Sequence, residues 1–157
     1  SGGQFQTIEP GTAKPGIEGV IERYRQMPLY DRVNAAKYLN NQNPTAVKDI
    51  SSIAIPEDLY SDRVFAMVED MGGFAPLINE GDRVFIKPEL PIKNATNSMF
   101  WVNGSPLIGR IAMTPTGMML KFISETQGWE PVKVTADDYI GRVIAIDPLW
   151  AIEQREE

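Results

Sequence analysis

Short apolar runs alternate with glycine-, proline- and asparagine-rich breaks along most of this chain. The densest example spans residues 64–86. Val64 to Val68 is a run of β-formers and apolar residues. Met71-Gly72-Gly73-Phe74-Ala75-Pro76 interrupts it, since two glycines and a proline cannot sustain a strand ladder. Asn79-Glu80-Gly81-Asp82 is a turn, with Gly81 free to take positive φ, and Arg83 to Ile86 starts a second strand. The same rhythm predicts strands at Ile53–Leu59, Ser98–Asn103, Ser105–Met113, Met118–Ser124, Val132–Val134 and Tyr139–Ile146. Asn103-Gly104 is a hairpin turn signal, and Thr114-Pro115-Thr116-Gly117 is another turn. A mostly β domain of short strands and hairpins follows.

The N-terminal third reads differently. Ile17, Val20, Ile21 and Tyr24 recur at i, i+3, i+4 and i+7, with Pro15 suited to a first helical turn. This spacing predicts a short amphipathic helix over Pro15–Gln26. Tyr38 to Ser52, rich in asparagine, predicts a loop, as does Lys87–Asn97 with its two prolines. The chain thus divides into a lead-in and tether helix (1–26), a β domain (27–146) and a tail (147–157) that is apolar through Leu149, Trp150 and Ile152 and then charged.

Composition narrows the chemistry. The length of 157 residues suits one domain with a proper core. Net charge is −6, with no cluster of lysine and arginine, so this chain is not expected to grip nucleic acid by itself. No apolar run approaches the roughly 20 residues of a membrane span. Cysteine is absent, which leaves a reducing cytoplasm as the default compartment. Histidine is absent too, which removes Ser-His-Asp and Cys-His catalysis and the commonest metal ligand. No metal or cofactor is expected. Ser-Lys chemistry is the main nucleophilic option left. The carboxylate pairs Glu69-Asp70, Glu80/Asp82 and Asp137-Asp138 sit beside turns and strand edges and are expected to be solvated.

The central stretch resembles the self-cleaving repressor family, the S24-type peptidase domain of LexA, UmuD and lambda-type phage repressors. That family writes roughly F-A-L-x-V-x-G-D-S-M-x-P-L-I-x-x-G-D-x-V. Phe65-Ala66, Pro76-Leu77-Ile78, Gly81-Asp82 and Val84 fall on the pattern without a gap. Pro28-Leu29 and Val33 match the family's opening, Ile53-Ala54-Ile55-Pro56 its lead into the central motif, and Ile140-Gly141-Arg142-Val143 its closing strand. The resemblance covers about Met27 to Ile146 and implies a LexA-like fold of short twisted strands with a short N-terminal helix.

It also implies where catalysis would sit, and there this sequence departs from the family. The nucleophilic serine falls on Gly73, and the lysine base falls on Gly109, in Val102-Asn103-Gly104-Ser105-Pro106-Leu107-Ile108-Gly109-Arg110. The family's self-cleaved Ala-Gly bond falls on Ala35-Ala36, small residues that suit an extended segment threaded through a narrow cleft. Glycine has no side chain with which to attack or to take a proton, so self-cleavage is not expected. Ser98 imitates the serine motif but stands out of register, Ser105 reads as a turn hydroxyl, and Lys93 and Lys121 do not fit the base position.

What the resemblance leaves is assembly. The first expectation is the oligomerisation and regulatory domain of a phage-type repressor that has lost self-cleavage, acting in the cytoplasm of a bacterial host. Its partners would be a second copy of itself, as a dimer or larger species, an antirepressor protein, and DNA only through a domain upstream of Ser1. The expected interface is Arg142, Val143, Ile144, Ala145 and Ile146 with Leu149, Trp150 and Ile152. A second expectation is a UmuD-like partner of a polymerase in the DNA damage response. A third, an active peptidase using another serine, ranks last. An unoccupied cleft near Gly73 and Gly109 could hold the chain's own Ala35-Ala36 segment.

Overall fold

The computed structural model describes residues 13–15, 21–44, 52–124 and 127–147. Ten strands and one α-helix make up the described fold. In chain order they are β1 (Ala13–Pro15), β2 (Ile21–Tyr30), α1 (Arg32–Leu39), β3 (Ser52–Pro56), β4 (Phe65–Val68), β5 (Arg83–Lys87), β6 (Asn97–Val102), β7 (Ser105–Thr114), β8 (Gly117–Lys121), β9 (Val132–Val134) and β10 (Tyr139–Asp147). The strands join in the order β1-β2-β4-β5-β10-β6-β7-β8-β9, with β3 paired to β2 off this path. Pairing is antiparallel throughout except β2 with β4, which run parallel over Leu29–Ala66 and Tyr30–Met67. The fold is mostly β, as the alternation of apolar runs and turns predicts.

The strands of the central motif are buried on both faces. Successive side chains of a strand point to opposite sides. Phe65, Met67, Val84 and Ile86 therefore enter one apolar cluster, with Phe74, Ile78, Met99, Ile108 and Ile140. Val64, Ala66 and Phe85 enter a second cluster, with Met27, Leu29, Ile53 and Ile55. A third cluster, Phe100, Ile111, Leu120 and Val134, fills the far hairpins. Double-sided burial is why residues 64–68 and 83–86 read as continuous rather than alternating apolar runs. Between them, Gly81 takes φ +93° in the turn where its sequence suggested positive φ.

Two expectations for the N-terminal third are corrected. The short helix expected over Pro15–Gln26 is not there: β1 covers Ala13–Pro15 and β2 begins at Ile21. Residues 16–20 lie outside the described residues. Among the described side chains of β2, Tyr24, Met27 and Leu29 are buried. The helical spacing rests on Ile17, Val20, Ile21 and Tyr24, whereas the buried positions 24, 27 and 29 follow no helix face. Pairing with β3, Tyr24–Pro56 through Pro28–Ser52, decides the matter.

The helix lies instead at Arg32–Leu39, where the sequence suggested a cleavage segment and the start of a loop. Asp31 caps it, accepting from the Asn34 N–H at 2.8 Å. Arg32, Asn34 and Ala35 are its buried residues, while Val33 is 65% exposed. That inverted pattern hides the helix from a search for apolar periodicity.

Phe85 is fully buried in the second cluster. Phe85→Ala should therefore cost about 3–5 kcal/mol, from lost transfer free energy and a residual cavity. Urea unfolding followed by circular dichroism measures it. A loss below about 1 kcal/mol would mean that this strand is not buried on both faces as described.

Candidate functional site

The segment 71–81 that joins β4 to β5 carries Gly73, and the middle of β7 carries Gly109. The fold brings both to the end of β8. The Gly73 carbonyl accepts from the N–H groups of Ile123 and Ser124, at 3.0 and 2.9 Å, just beyond β8. Gly109 lies opposite Ser98 of β6, and its neighbour Arg110 pairs with Lys121 of β8. Two positions 36 residues apart in sequence thus flank one short segment.

Neither position has room for a side chain. A Cβ built on Gly73 would lie 2.5–2.8 Å from the ring carbons of Trp129. One built on Gly109 would lie 2.6 Å from Leu120 Cγ and 2.8 Å from the Lys121 carbonyl oxygen. Trp129 is fixed by an edge-on contact with Phe122, ring centroids 4.9 Å apart. What remains between the turn and β7 is a cavity of about 10 Å³, bordered by Glu69, Met71, Gly73, Leu107, Ile108 and Trp129. That is room for about one water molecule. Its lining includes no serine, threonine, lysine or tyrosine.

Nor does Ala35-Ala36 offer an extended peptide. Both alanines are in α1, with the Ala35 N–H donating to the Asp31 carbonyl and the Ala36 carbonyl accepting from Asn40. Ala35 is fully buried against the first cluster. The extended conformation expected for this segment is replaced by a helix, because the Asp31 cap and the residues after it favour one. The expectation that a cleft near Gly73 and Gly109 holds the Ala35-Ala36 segment is likewise corrected, since Trp129 and Leu120 fill the space at the two glycines.

The residue that sequence reasoning missed is Arg32. It is 8% exposed and joins three elements. Its guanidinium donates to both Glu69 carboxylate oxygens at 3.1 and 3.2 Å, to Asp70 Oδ1 at 2.7 Å, and to the Pro106 carbonyl of β7. Glu69 in turn accepts from the Met71 N–H at 2.7 Å. The Glu69-Asp70 pair is therefore not simply solvated: Asp70 is exposed, but Glu69 is 6% exposed and enclosed with a cation. Burial pushes the Glu69 carboxyl up from its ordinary value of 4.5, against the pull of Arg32 and the Met71 N–H. Nothing in the sequence marks the pairing, because its partners stand 37 and 38 residues apart.

In the other carboxylate pairs Glu80 and Asp137 are exposed, as expected, while their partners have structural roles. Asp82 is buried and accepts from the Asn79 N–H at 2.8 Å, closing the turn around Gly81. Asp138 completes a capping box with Thr135. Among the described residues no group of three or more His, Cys, Asp or Glu is placed to hold a metal ion. Ser98 is fully buried, its hydroxyl 3.1 Å from that of Thr96, and Lys93 and Lys121 are exposed.

The predicted interface residues divide. Leu149, Trp150 and Ile152 lie outside the described residues. Arg142, Val143, Ile144, Ala145 and Ile146 lie in β10, all half-buried. Val143 and Ile146 pack on the first cluster, Ile144 and Ala145 on the second. The Arg142 guanidinium donates to the Pro91 carbonyl at 2.7 Å. A register shift between Val143 and Ala145 marks a bulge. β10 pairs with β6 only over Tyr139–Arg142, and from Val143 onward it pairs with β5 alone among the described residues.

Introducing a serine and a lysine at these positions should not produce self-cleavage. The Gly73→Ser/Gly109→Lys double variant should remain intact after incubation at alkaline pH, by intact-mass measurement. It should also unfold at lower temperature, since each added side chain overpacks a filled site at about 1–3 kcal/mol. A product ending at Ala35 would refute the closed geometry.

Glu69 makes a second prediction. Its folded-state carboxyl titrates above its ordinary 4.5, so the folded chain binds the extra proton more tightly than the unfolded chain. Its contribution to stability is then full below about pH 4.5 and is lost as pH rises through the raised value. The stability of the wild type relative to Glu69→Gln should fall over that interval in urea titrations. A rise would mean that Arg32 outweighs desolvation. No family model matches this sequence, and no curated protein matches it.

Proposed function

We propose that this chain is the assembly and regulatory domain of a phage-type transcriptional repressor that does not cleave itself. The observation that carries the reading is the closure of the site at Gly73 and Gly109. The two positions where the resembled family needs serine and lysine lie beside the same end of β8, and Trp129 and Leu120 occupy the room their side chains would need. A Ser-Lys mechanism needs an activated hydroxyl and a desolvated amine within hydrogen-bond reach. The cavity offers neither, so the chain is proposed to be no enzyme.

The task left to such a domain is to link copies. A second copy joins two weak DNA contacts into one avid one, with DNA bound through a domain that this chain does not contain. The half-paired β10 supports this role. Its unpaired backbone edge after Arg142 can accept a strand, and Val143–Ile146 supply apolar side chains beside it. The tail residues Leu149, Trp150 and Ile152 extend the proposed contact. Among the described residues no helix is long and apolar enough to cross a membrane; a site of action in the bacterial cytoplasm belongs to the proposal, as does release by an antirepressor in place of self-cleavage.

Sedimentation equilibrium over a wide concentration range tests the reading. Reversible dimers or larger species are expected, with association weakened about tenfold or more by Trp150→Ala, the effect of truncating an aromatic anchor. A chain that stays monomeric at all concentrations would overturn self-assembly and favour a different protein partner, such as the polymerase of the damage response.

A further inference from the structure

The groove at the C-terminal end of α1 is separate from the closed site and is the larger space. It measures about 310 Å³, within the range of small-molecule sites. Three aromatic side chains line it: Tyr38 from α1, Trp101 from β6 and Tyr139 from β10. Pro88 adds an apolar edge, and Asn41 and Arg63 add polar ones. Two of the aromatic rings are held before any ligand arrives. Tyr38 stacks on Tyr30 at 5.4 Å and leans on Phe65 at 5.7 Å. Tyr139 donates its hydroxyl to the Leu90 carbonyl at 2.7 Å and packs edge-on against Phe100.

Charge gives the groove a sign. Arg63 is the only charged side chain in its lining, and no carboxylate faces it there. Arg63 is exposed and makes no ion pair among the described residues. Glu89 is near enough to feel its charge, but it is exposed, lies outside the lining and accepts the Ser61 hydroxyl at 2.5 Å. A smaller groove on the other side of Tyr38 has the opposite character: about 190 Å³, with Asp62 as its charged residue. In a chain of net charge −6, a groove whose only charge is a cation is selective.

We infer that this groove binds a small planar aromatic anion, with its ring among Tyr38, Trp101 and Tyr139 and its carboxylate or phosphate on Arg63. Flat π faces favour a planar ring. A guanidinium suits an anion with two oxygens, because it can donate two parallel N–H bonds. Asn41 can add a side-chain amide donor, and its backbone already closes the end of α1 through the Tyr38 carbonyl. Rings fixed in advance lower the entropy cost of binding. Two sources share this chemistry, a nucleoside monophosphate and an aromatic carboxylic acid. This inference does not depend on the repressor reading.

The test titrates the full 157-residue chain with guanosine monophosphate in one arm and indole-3-carboxylate in the other. Heteronuclear NMR follows the Trp101 indole and the amides of Tyr38 and Asn41. Saturable shifts at these groups with at least one probe, at or below about 1 mM, support the site, and the probe that binds identifies the source. Arg63→Gln should weaken that binding about tenfold or more, the loss expected for a charge-assisted contact, while Arg63→Lys should recover part of it. The inference is overturned if neither probe gives saturable shifts, or if Arg63→Gln binds as tightly as the wild type.

Discussion

One buried guanidinium sets the arrangement at the centre of this protein. Arg32 stands at the first position of α1 and reaches Glu69 and Asp70 after β4 and the Pro106 carbonyl on β7. Helix, turn and strand are thereby fixed around one charge. A pair this enclosed adds little net stability over an apolar replacement, but losing one member strands the other, at about 3–5 kcal/mol. Its value lies in position. It holds Ala35 against the core and Glu69 beside the closed cavity, so the segment that resembles a cleavage site and the turn that resembles a catalytic motif cannot shift independently.

The closed site and the half-paired strand are two consequences of the same sheet. The path β5-β10-β6-β7-β8 places Gly109 beside the end of β8, where Gly73 also docks. Glycine at both positions allows Leu120 and Trp129 to complete the packing. β10 sits in the middle of that path, yet it outruns β6, so its second half has one strand neighbour among the described residues. The filled space at the two glycines and a strand with one neighbour are the observations on which the proposed assembly role rests; a serine and a lysine at these positions would need the space that Trp129 and Leu120 fill.

Charge distribution adds a second theme. Arg32 and Arg83 are committed to carboxylates, Arg83 to the buried Asp147 at 2.7 Å, and Arg25 lies over the Tyr60 ring. Arg63 has no such commitment among the described residues and shares the lining of the groove with Tyr38, Trp101 and Tyr139. The contrast separates cations that hold the fold from one available to a ligand.

The strands from β3 to β10 were legible in the sequence, because each is a short apolar run ended by glycine, proline or asparagine. Local chemistry decides that much: backbone conformation at Gly81 and Asn103-Gly104, and the missing N–H of proline. That Gly73 and Gly109 carry no side chain needs no coordinates, whereas their approach to the same end of β8 does. The N-terminal third was not legible. Ile17, Val20, Ile21 and Tyr24 share a helical spacing, yet Tyr24 pairs with Pro56 of β3, and α1 buries Arg32 and Asn34 while exposing Val33, which reverses the pattern a reader looks for. Trp129 filling the space at Gly73 and Arg32 pairing with Glu69 span 56 and 37 residues. Contacts of that range leave no periodic trace, because they depend on which strands become neighbours. The sequence by itself determined the β character and the lack of side chains at Gly73 and Gly109; tertiary packing decided where the helix lies, what fills the space at those glycines and which charges are buried.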